Sequence, residues 1–351
     1  MTARARRLGD EHSPNFDGAP LAHGGRIDEA RRLYPDAPQP WIDLSTGINP
    51  SAYPLPAIPD DAWTRLPDAD ALKALEAAAA RAYRVPAQAR VVAGPGAQAF
   101  IQWTPRLVAA RLVAVRGFTY AEHAANWLAA GADVLTAETF DELVDGDVAV
   151  IVNPNNPDGR VTQPEQLAEL GAHMAQRGGL LIVDESFMDM TPEHSVVPLM
   201  AAGDGLLVLR SFGKAYGLPG LRLGFAIGSE PLTRRLRAAL GPWAVCGPAL
   251  AVGAAALADG AWLEASAARL GHAGERLDAL LRAAGFRIVG GAALFRLAAR
   301  EDAADCFARL CARGVLTRRF PERPSWLRFG LPGSEAAWAR LAHALERRHE
   351  R

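Results

Sequence analysis

Short apolar runs alternate with longer helical stretches through the middle of the chain, and this alternation most constrains the fold. The runs are mostly aliphatic, and alanine- and leucine-containing stretches separate them. Strands without polar alternation are buried on both faces, which is typical of a parallel sheet covered by helices. The pattern therefore predicts an α/β fold with strands at residues 90–93, 112–115, 148–152, 180–183 and 206–209.

Polar side chains follow three of these predicted strands. Asn156 comes soon after the strand at 148–152, and Asp184 comes directly after the strand at 180–183. Ser211 and Lys214 follow the strand at 206–209. A buried carboxylate needs a cationic partner, and a lysine at the mouth of a buried strand is costly to desolvate unless it is paired or used chemically. Because ligands of open α/β sheets bind beyond the carboxyl ends of the strands, the sequence predicts a site at this edge.

A glycine turn and an arginine add the features of an anion site. The turn at residues 94–96 opens a predicted helix, whose first backbone amides can bind a phosphate. Ser211 and Arg222 lie on either side of Lys214 in the sequence. This order indicates an imine-forming lysine beside a phosphate pocket. The alternative for this segment alone is a lysine in a surface turn.

Composition and charge exclude several classes of function. The chain has 351 residues, of which 22% are charged, and a formal net charge of -1. General nucleic-acid binding needs a basic surface, and no apolar run approaches the ~20 residues that span a bilayer. The three cysteines lack a metal-ligand spacing, so no metal is predicted. We expect them to be buried thiols in a reducing cytoplasm.

The length of the chain favours two domains. Residues 1–48 are rich in proline, glycine, aspartate and arginine, and are predicted to form an arm that contributes to the small domain and the active site. Residues 49–235 are predicted to form the large domain with the mostly parallel sheet. Residues 236–351 are predicted to form a smaller α+β domain, because three helical stretches are followed by short strands and a terminal helix.

Four motifs in chain order carry a resemblance to a known superfamily. They are Asn-Pro-Asn-Asn-Pro at 153–157, Asp-Glu-Ser-Phe at 184–187, Ser-x-x-Lys at 211–214 and Gly-Leu-Arg-Leu-Gly-Phe at 220–225. Together they are similar to the fold-type I pyridoxal-phosphate enzymes, the aspartate-aminotransferase superfamily. The resemblance covers nearly the whole chain, and it implies a large domain that binds pyridoxal 5′-phosphate.

The resemblance also implies a role for each matching residue. Lys214 would be the Schiff-base lysine, Asp184 would pair with the pyridinium nitrogen, and Tyr120 would stack on the ring. Asn156 would donate to the ring 3-oxygen beside the substrate, and Arg328 would bind the substrate carboxylate. The cofactor phosphate would be held by Ser211, Arg222 and the backbone amides of Gly96, Ala97 and Gln98.

The N-terminal part and Phe187 narrow the resemblance. The segments at 23–25 (His-Gly-Gly) and 43–50 (Asp-Leu-Ser-Thr-Gly-Ile-Asn-Pro) are similar to the threonine-phosphate decarboxylases of cobalamin biosynthesis. The implied reaction, in a homodimer, is decarboxylation of L-threonine O-3-phosphate to (R)-1-amino-2-propanol O-2-phosphate. Phe187 fits that family, whereas many aminotransferases have tyrosine there. Two alternatives are a histidinol-phosphate-type aminotransferase and a non-catalytic pyridoxal-phosphate regulator.

Two further positions carry expectations about ligands. Two glycines after a histidine permit close backbone approach to a ligand, so we expect His23 and the amides of Gly24 and Gly25 to bind the substrate phosphate. The alternative is that His23 only caps a turn. Leu66 departs from the superfamily, which usually has a tyrosine there that reaches the neighbouring subunit's cofactor phosphate. Tyr53 is the candidate to replace that contact.

Overall fold

The computed structural model describes residues 23–203 and 205–346, which divide into two compact units. The first unit contains residues 53–156 and 161–263. The second contains the described residues up to Ala52, residues 157–160 and the described residues from Glu264 onwards. None of the described helices is both long and apolar enough to cross a membrane.

The strands of the described residues form three sheets. A seven-stranded sheet lies in the first unit, and a four-stranded and a two-stranded sheet lie in the second. In chain order the strands are β1 (Ile42–Asp43), β2 (Arg90–Gly94), β3 (Leu112–Arg116), β4 (Asp133–Ala137), β5 (Val148–Val152), β6 (Leu180–Asp184), β7 (Leu206–Ser211), β8 (Gly224–Gly228), β9 (Arg287–Ala292), β10 (Phe295–Ala299), β11 (Val315–Leu316), β12 (Arg318–Arg319) and β13 (Trp326–Gly330).

Twelve α-helices lie in the described residues. Helix α3 begins after Asp68, whose carboxylate accepts the backbone amides of Asp70 and Ala71 and so satisfies the first turn. The helices are α1 (Ile27–Leu33), α2 (Asp61–Thr64), α3 (Ala69–Ala82), α4 (Ala97–Leu107), α5 (Glu122–Ala129), α6 (Pro164–Gln176), α7 (Phe212–Ala215), α8 (Glu230–Leu240), α9 (Gly247–Ala258), α10 (Gly260–Ala283), α11 (Ala303–Ala312) and α12 (Glu335–Leu345).

The seven-stranded sheet has the order β2-β8-β7-β6-β5-β3-β4. Strands β3 to β7 pair in parallel, and β8 runs antiparallel to both of its neighbours. The mostly parallel α/β fold predicted from the sequence is confirmed. Every residue of β5 and β6 is buried. The register pairs Val152 with Asp184 and Asp184 with Leu209, so the carboxyl ends of three strands meet at one edge.

The core of the first unit lies between this sheet and its covering helices. Phe100, Trp127 and Leu236, from α4, α5 and α8, are almost fully buried against strand residues such as Val150. This packing explains why the strands carry almost no polar side chains before their ends, since both faces are removed from water.

The second unit is an α+β arrangement. Its four-stranded sheet has the order β12-β13-β10-β9, and all of its pairings are antiparallel. Strand β1 pairs in parallel with β11 and aligns Ile42 with Val315. Trp41, Cys311 and Leu316 share a small core with residues of α1. Residues 42–43, from the predicted arm, therefore form part of a sheet of this unit.

Three features differ from the sequence expectations. Strands β4 and β8 were not predicted, because one contains polar residues and the other is bounded by glycines. The first unit continues to Leu263, beyond the predicted boundary at residue 235, since α9 packs against α3. The cysteine prediction is correct for Cys306 and Cys311, which are buried, but wrong for Cys246, which is exposed.

Helix α6 supplies a test of the packing around the sheet. A Cβ at Gly171 would lie 2.6 Å from Cγ of Leu206, so Gly171→Ala forces a shift of α6 against β7. We expect a loss of about 1–3 kcal/mol in the free energy of unfolding, measured by chemical denaturation. Gly271→Ala is the matched control, because nothing lies within 4 Å of that position in α10. The control is expected to stabilise by about 0.5–1 kcal/mol, and equal effects of the two changes would contradict the packing described.

Candidate active site

Asp184 ends β6 and is the buried carboxylate at the centre of the sheet edge. Nε2 of His123, from α5, lies 2.9 Å from its Oδ2, and both side chains are almost fully buried. The backbone amide of Ser186 donates to its Oδ1 at 3.0 Å. Burial by itself raises the pKa of Asp184, but the hydrogen bond and charge of His123, the charge of Lys214 and the bond from Ser186 outweigh it and hold this pKa at about 2. A fixed negative charge therefore lies at this edge.

His123 is a site residue for which the sequence assigned no role. It stands within the first turn of α5, two residues before another buried position, and its spacing gives no sign of a partner. The need of Asp184 for a cationic partner was predicted, and the identity of that partner was not. Only the tertiary structure shows that α5 brings a histidine to the end of β6.

Lys214 lies in α7, directly after β7. Its Nζ lies 4.1 Å from the centre of the Phe187 ring, which follows Asp184 by three residues. The short helix is fixed by stacking of Phe212 on Tyr216, with ring centroids 4.3 Å apart, and of Tyr216 on Trp262, at 5.7 Å. The lysine is half-buried and stands beside the carboxyl ends of β6 and β7.

The predicted anion site is formed at the start of α4. The register of β2, β8 and β7 places Gly94 and Ser211 on either side of Gly224, so the glycine turn and Ser211 lie close together. A Cβ at Gly96 would lie 2.9 Å from Nη2 of Arg222, and Gly96 has a φ of +84°. A Cβ at Gly224 would lie 2.4 Å from the backbone nitrogen of Ala97. The glycines therefore permit a guanidinium and free helix amides to converge on one small anion.

Gln98 and Tyr120 are joined in one hydrogen-bond network. The Tyr120 hydroxyl donates to Oε1 of Gln98 at 3.3 Å, and Nε2 of Gln98 donates to Oε2 of Glu122 at 2.7 Å. The Tyr120 ring also meets the His123 ring edge to face, with centroids 6.2 Å apart. Tyr120 thus links the anion site to the Asp184–His123 pair. Glu122 is a second residue of the site that the sequence did not identify.

The loop after β5 is tied to the loop that carries Tyr120. The Thr119 hydroxyl donates to Oδ1 of Asn155 at 2.6 Å, and Nδ2 of Asn155 donates to the carbonyl of Phe118 at 3.1 Å. Asn155 therefore has a structural role, because it ties the two loops together. Asn156 is the next residue in the chain, so its backbone begins from a position that these hydrogen bonds hold. The predicted contact of Asn156 with a ligand ring stays a prediction.

These residues fit pyridoxal phosphate by their chemistry. A helix N-terminus with a guanidinium suits the phosphate, an ionised carboxylate suits a protonated pyridine nitrogen, and a lysine suits the aldehyde. All of the predicted cofactor residues belong to the first unit. The structure brings together Gly96, Ala97, Gln98, Tyr120, Asp184, Ser211, Lys214 and Arg222 at one edge of its sheet.

The predicted substrate residues other than Asn156 belong to the second unit, where Ser45 connects several of them. A Cβ at Gly24 would lie 2.3 Å from the Ser45 carbonyl oxygen, which explains the glycine. The same carbonyl accepts a hydrogen bond from Nη2 of the buried Arg328, with a donor–acceptor distance of 2.7 Å. The Gly25 amide donates to the Ser45 hydroxyl at 2.7 Å, and that hydroxyl donates to Asp43 at 2.5 Å. The Gly25 amide thus has a structural contact, where the sequence led us to expect a substrate phosphate.

Arg318 is a further candidate that the sequence did not identify. It lies directly opposite Arg328 in the β12–β13 pairing, so both side chains project from the same face of the sheet. The Arg328 guanidinium also lies 5.0 Å from the centre of the Phe295 ring. A guanidinium can bind phosphate or carboxylate oxygens with two parallel hydrogen bonds, so two arginines on one face suit an anionic ligand. The Arg318-Arg319 pair in the sequence was the available signal.

Tyr53, the candidate to replace the tyrosine missing at Leu66, has contacts within its own chain. Its hydroxyl lies 3.3 Å from Oδ2 of Asp259, and its backbone amide donates to the carbonyl of Tyr216. Its ring meets the Trp262 ring edge to face, at 5.2 Å. Tyr53 therefore helps to hold the end of α7, and a contact with a partner's cofactor stays a prediction.

Comparisons with known proteins show the family of the chain. The sequence profile described as aminotransferase class I and II matches residues 40–345. A threonine-phosphate decarboxylase of Pseudomonas aeruginosa is 47% identical over 93% of this chain and 97% of its own length. One from Sinorhizobium is 44% identical over 94% and 98%. A histidinol-phosphate aminotransferase from Sinorhizobium meliloti, solved with pyridoxal-5′-phosphate, shares the fold, with a TM-score of 0.78, 18% identity and 96% coverage of both chains.

The low pKa of Asp184 gives a pH-dependent stability that can be measured. The folded-state value of about 2 lies below the ordinary 3.8, so ionised Asp184 stabilises the fold above pH 4 and loses this contribution as the pH falls towards 2. We expect Asp184→Asn to cost about 2 kcal/mol at pH 7 and about half of that at pH 3, measured by urea unfolding. Asp133→Asn, at an exposed position in β4, is the control and should be neutral at both pH values. A cost for Asp184→Asn that does not change with pH would contradict this account.

Proposed function

We propose that this chain, which belongs to the aminotransferase class I and II family, uses pyridoxal phosphate to decarboxylate L-threonine O-3-phosphate. The observation that carries the proposal is the identity of 47% and 44%, over nearly the whole chain, to proteins named threonine-phosphate decarboxylase. The lysine, the buried carboxylate and the anion site that such chemistry needs are present together in the first unit. The product is (R)-1-amino-2-propanol O-2-phosphate.

The cofactor is assigned to specific residues. Ser211, Arg222 and the amides of Gly96, Ala97 and Gln98 hold its phosphate, and Asp184 holds the proton on its ring nitrogen. When bound, pyridoxal phosphate supplies the electron sink that decarboxylation needs. Asp184 would sustain that sink, because a pKa of about 2 keeps its carboxylate ionised throughout the working pH range.

Lys214 has two tasks in the proposed reaction. Its Nζ would hold the cofactor before the substrate binds, and the same Nζ would carry the proton that Cα of the product receives. For the first task Nζ would have to be neutral, because only the neutral amine has the lone pair that attacks an aldehyde. The Phe187 ring, 4.1 Å from Nζ, provides an apolar surface beside the lysine that excludes water from this proton transfer.

Arg328 is assigned to the substrate carboxylate. A planar guanidinium matches a carboxylate with two parallel hydrogen bonds, and the Ser45 carbonyl already fixes one nitrogen of the fork. The direction in which the carboxylate is held decides which bond of Cα breaks. By fixing the direction of the carboxylate, Arg328 would favour loss of CO2 over removal of the Cα proton, which is the alternative that leads to amino transfer.

The substrate phosphate is assigned to Arg318, with His23 and Gly24. Arg318 and Arg328 lie opposite each other in the β12–β13 pairing, and guanidinium groups match the oxygens of both a phosphate and a carboxylate. Serine phosphate has the same two anions and differs by one methyl group, which is worth about 1–3 kcal/mol in a pocket. We therefore expect threonine phosphate to be preferred to serine phosphate by a modest factor.

An assay for CO2 release tests the proposed reaction. Purified protein with pyridoxal phosphate should release CO2 from L-threonine O-3-phosphate without consuming a keto acid. Lys214→Ala should lose activity by at least about 10²–10⁴-fold and lose the absorbance band of lysine-bound cofactor. Arg111→Ala, on the surface before β3, is the control and should keep both. Amino transfer from histidinol phosphate to a keto acid, without CO2 release from threonine phosphate, would instead support the histidinol-phosphate alternative.

We also propose that the chain acts as a homodimer through an apolar surface of the first unit. Leu55, Trp63, Leu66 and Trp243 are between 57% and 66% exposed, and large apolar patches mark interaction sites. Trp243 lines a cavity of about 570 Å³ together with Pro67, the neighbour of Leu66. A second copy of the chain would bury these side chains. The cytoplasmic location expected from the sequence stays a prediction.

Trp243→Glu tests the dimer. The charge would be desolvated in the interface, so we expect a shift from dimer to monomer at micromolar concentration, measured by analytical ultracentrifugation. Trp103→Glu is the matched control, because that tryptophan is 38% exposed on α4, outside the surface described. Dimers that persist in Trp243→Glu, or monomers in the unchanged protein, would exclude this surface as the interface.

A further inference from the structure

A buried cluster of charges lies next to the candidate active site, and the reaction proposed above assigns it no role. Arg210, in β7, contacts Glu185 at 3.0 Å and Asp189 at 3.3 Å, and all three side chains are almost fully buried. Each is a close chain neighbour of a site residue. Arg210 precedes Ser211, Glu185 follows Asp184, and Asp189 follows Phe187 by two positions in the 3-10 turn at Met188–Met190.

The two carboxylates of the cluster differ in how well they are satisfied. Besides Arg210, Glu185 accepts the hydroxyl of Ser195 at 2.7 Å and the backbone amide of Val196 at 2.8 Å. Asp189 accepts Arg210 through Oδ1, and its Oδ2 is buried with no hydrogen-bond partner among the described residues. A buried carboxylate oxygen with no donor favours the protonated form.

The net charge of the cluster also favours a proton on one of its two carboxylates. One guanidinium faces two carboxylates, so the cluster has a net charge of -1 when both are ionised. The other titratable groups around Asp189 are the phenols of Tyr83 and Tyr216, whose pKa values are raised by burial, and the Lys214 amine. The phenols stay neutral, so only Lys214 adds positive charge. A buried excess negative charge is costly and is relieved by one proton.

The pKa of Asp189 agrees with this geometry. Burial raises it, Arg210 lowers it, the charge of Glu185 raises it, and Lys214 lowers it, which leaves it at about 6. Asp189 is therefore protonated in mildly acidic solution and ionised above neutral pH. Nζ of Lys214 lies 4.1 Å from the Phe187 ring, and Phe187 stands two residues before Asp189. The charge of Asp189 therefore also acts on Lys214, because the interaction of two charges affects both groups.

We propose that Asp189 is the carboxylate of this cluster that takes up a proton. Through its charge, Asp189 shifts the pH at which the nitrogen of Lys214 gains or loses its proton. Asp189 is a positioning residue in this sense, since it acts through Lys214 and does not touch the reacting atoms. Ionised Asp189 favours the protonated nitrogen, and neutral Asp189 disfavours it. The proposal rests on the proposed function only in that pyridoxal phosphate is bound to Lys214.

The test is a pH titration of the absorbance band that pyridoxal phosphate gives when bound to Lys214. We expect the titration midpoint in Asp189→Asn to fall by about one pH unit relative to the unchanged protein, because a negative charge has been removed. Asp189→Glu keeps the charge and should restore the midpoint to near that of the unchanged protein. Asp70→Asn is the control, since Asp70 is exposed and paired with Lys73 in α3, and its midpoint should not move.

An equal midpoint in Asp189→Asn and the unchanged protein would overturn the proposal.

Infrared spectroscopy of the cofactor-free protein gives a second test that needs neither cofactor binding nor a folded variant. The carboxylic acid C=O band of the unchanged protein should disappear with a midpoint near pH 6. If no buried carboxyl group titrates between pH 5 and pH 7, the proposal is wrong. If neither the unchanged protein nor any variant shows the band of lysine-bound cofactor, the proposed function is wrong. The infrared measurement then still tests whether Asp189 takes up the proton.

Discussion

The structure depends on keeping one carboxylate ionised inside the protein. Asp184 is buried at the end of a strand with no polar neighbour before it, and burial alone would neutralise it. His123 and the Ser186 amide prevent this, so α5 and the turn after β6 must both be fixed relative to the sheet. The same edge then gathers Lys214 from β7 and the loop with Asn156 from β5, because parallel strands end together.

Successive side chains at these strand ends point to opposite faces of the sheet, and this separates two sets of charged residues. Asp184 and Ser211 belong to the candidate active site, while their chain neighbours Glu185 and Arg210 form an ion pair behind it. The pair joins the ends of β6 and β7, so it holds the residues of the site as well as balancing charge. Both sets lie in a medium of low dielectric constant. Protonation of a residue in one set therefore changes the electrostatic free energy of the other set.

The candidate substrate residues of the second unit are held by backbone groups as well as by side chains. The Ser45 carbonyl holds Arg328, and its hydroxyl holds the amide of Gly25, so one residue orders both the guanidinium and the glycine segment. Arg318, opposite Arg328, adds a second positive charge to the same face. This pairing of cations suits a substrate with two anionic groups, and such a substrate separates the proposed decarboxylase from enzymes whose substrates carry only one.

The sequence by itself determined the α/β class, five of the seven strands of the large sheet and the position of Asp184 and Lys214 after strand ends, because buried parallel strands must be apolar until they end. It also indicated the anion site, since glycines before a helix leave amides free. Only the tertiary structure decided that His123 pairs with Asp184, that Arg318 faces Arg328, and that Asp189 and Arg210 share a buried cluster. These contacts join residues far apart in the chain, and no local pattern of spacing encodes which helix or strand will bring a side chain to a given charge.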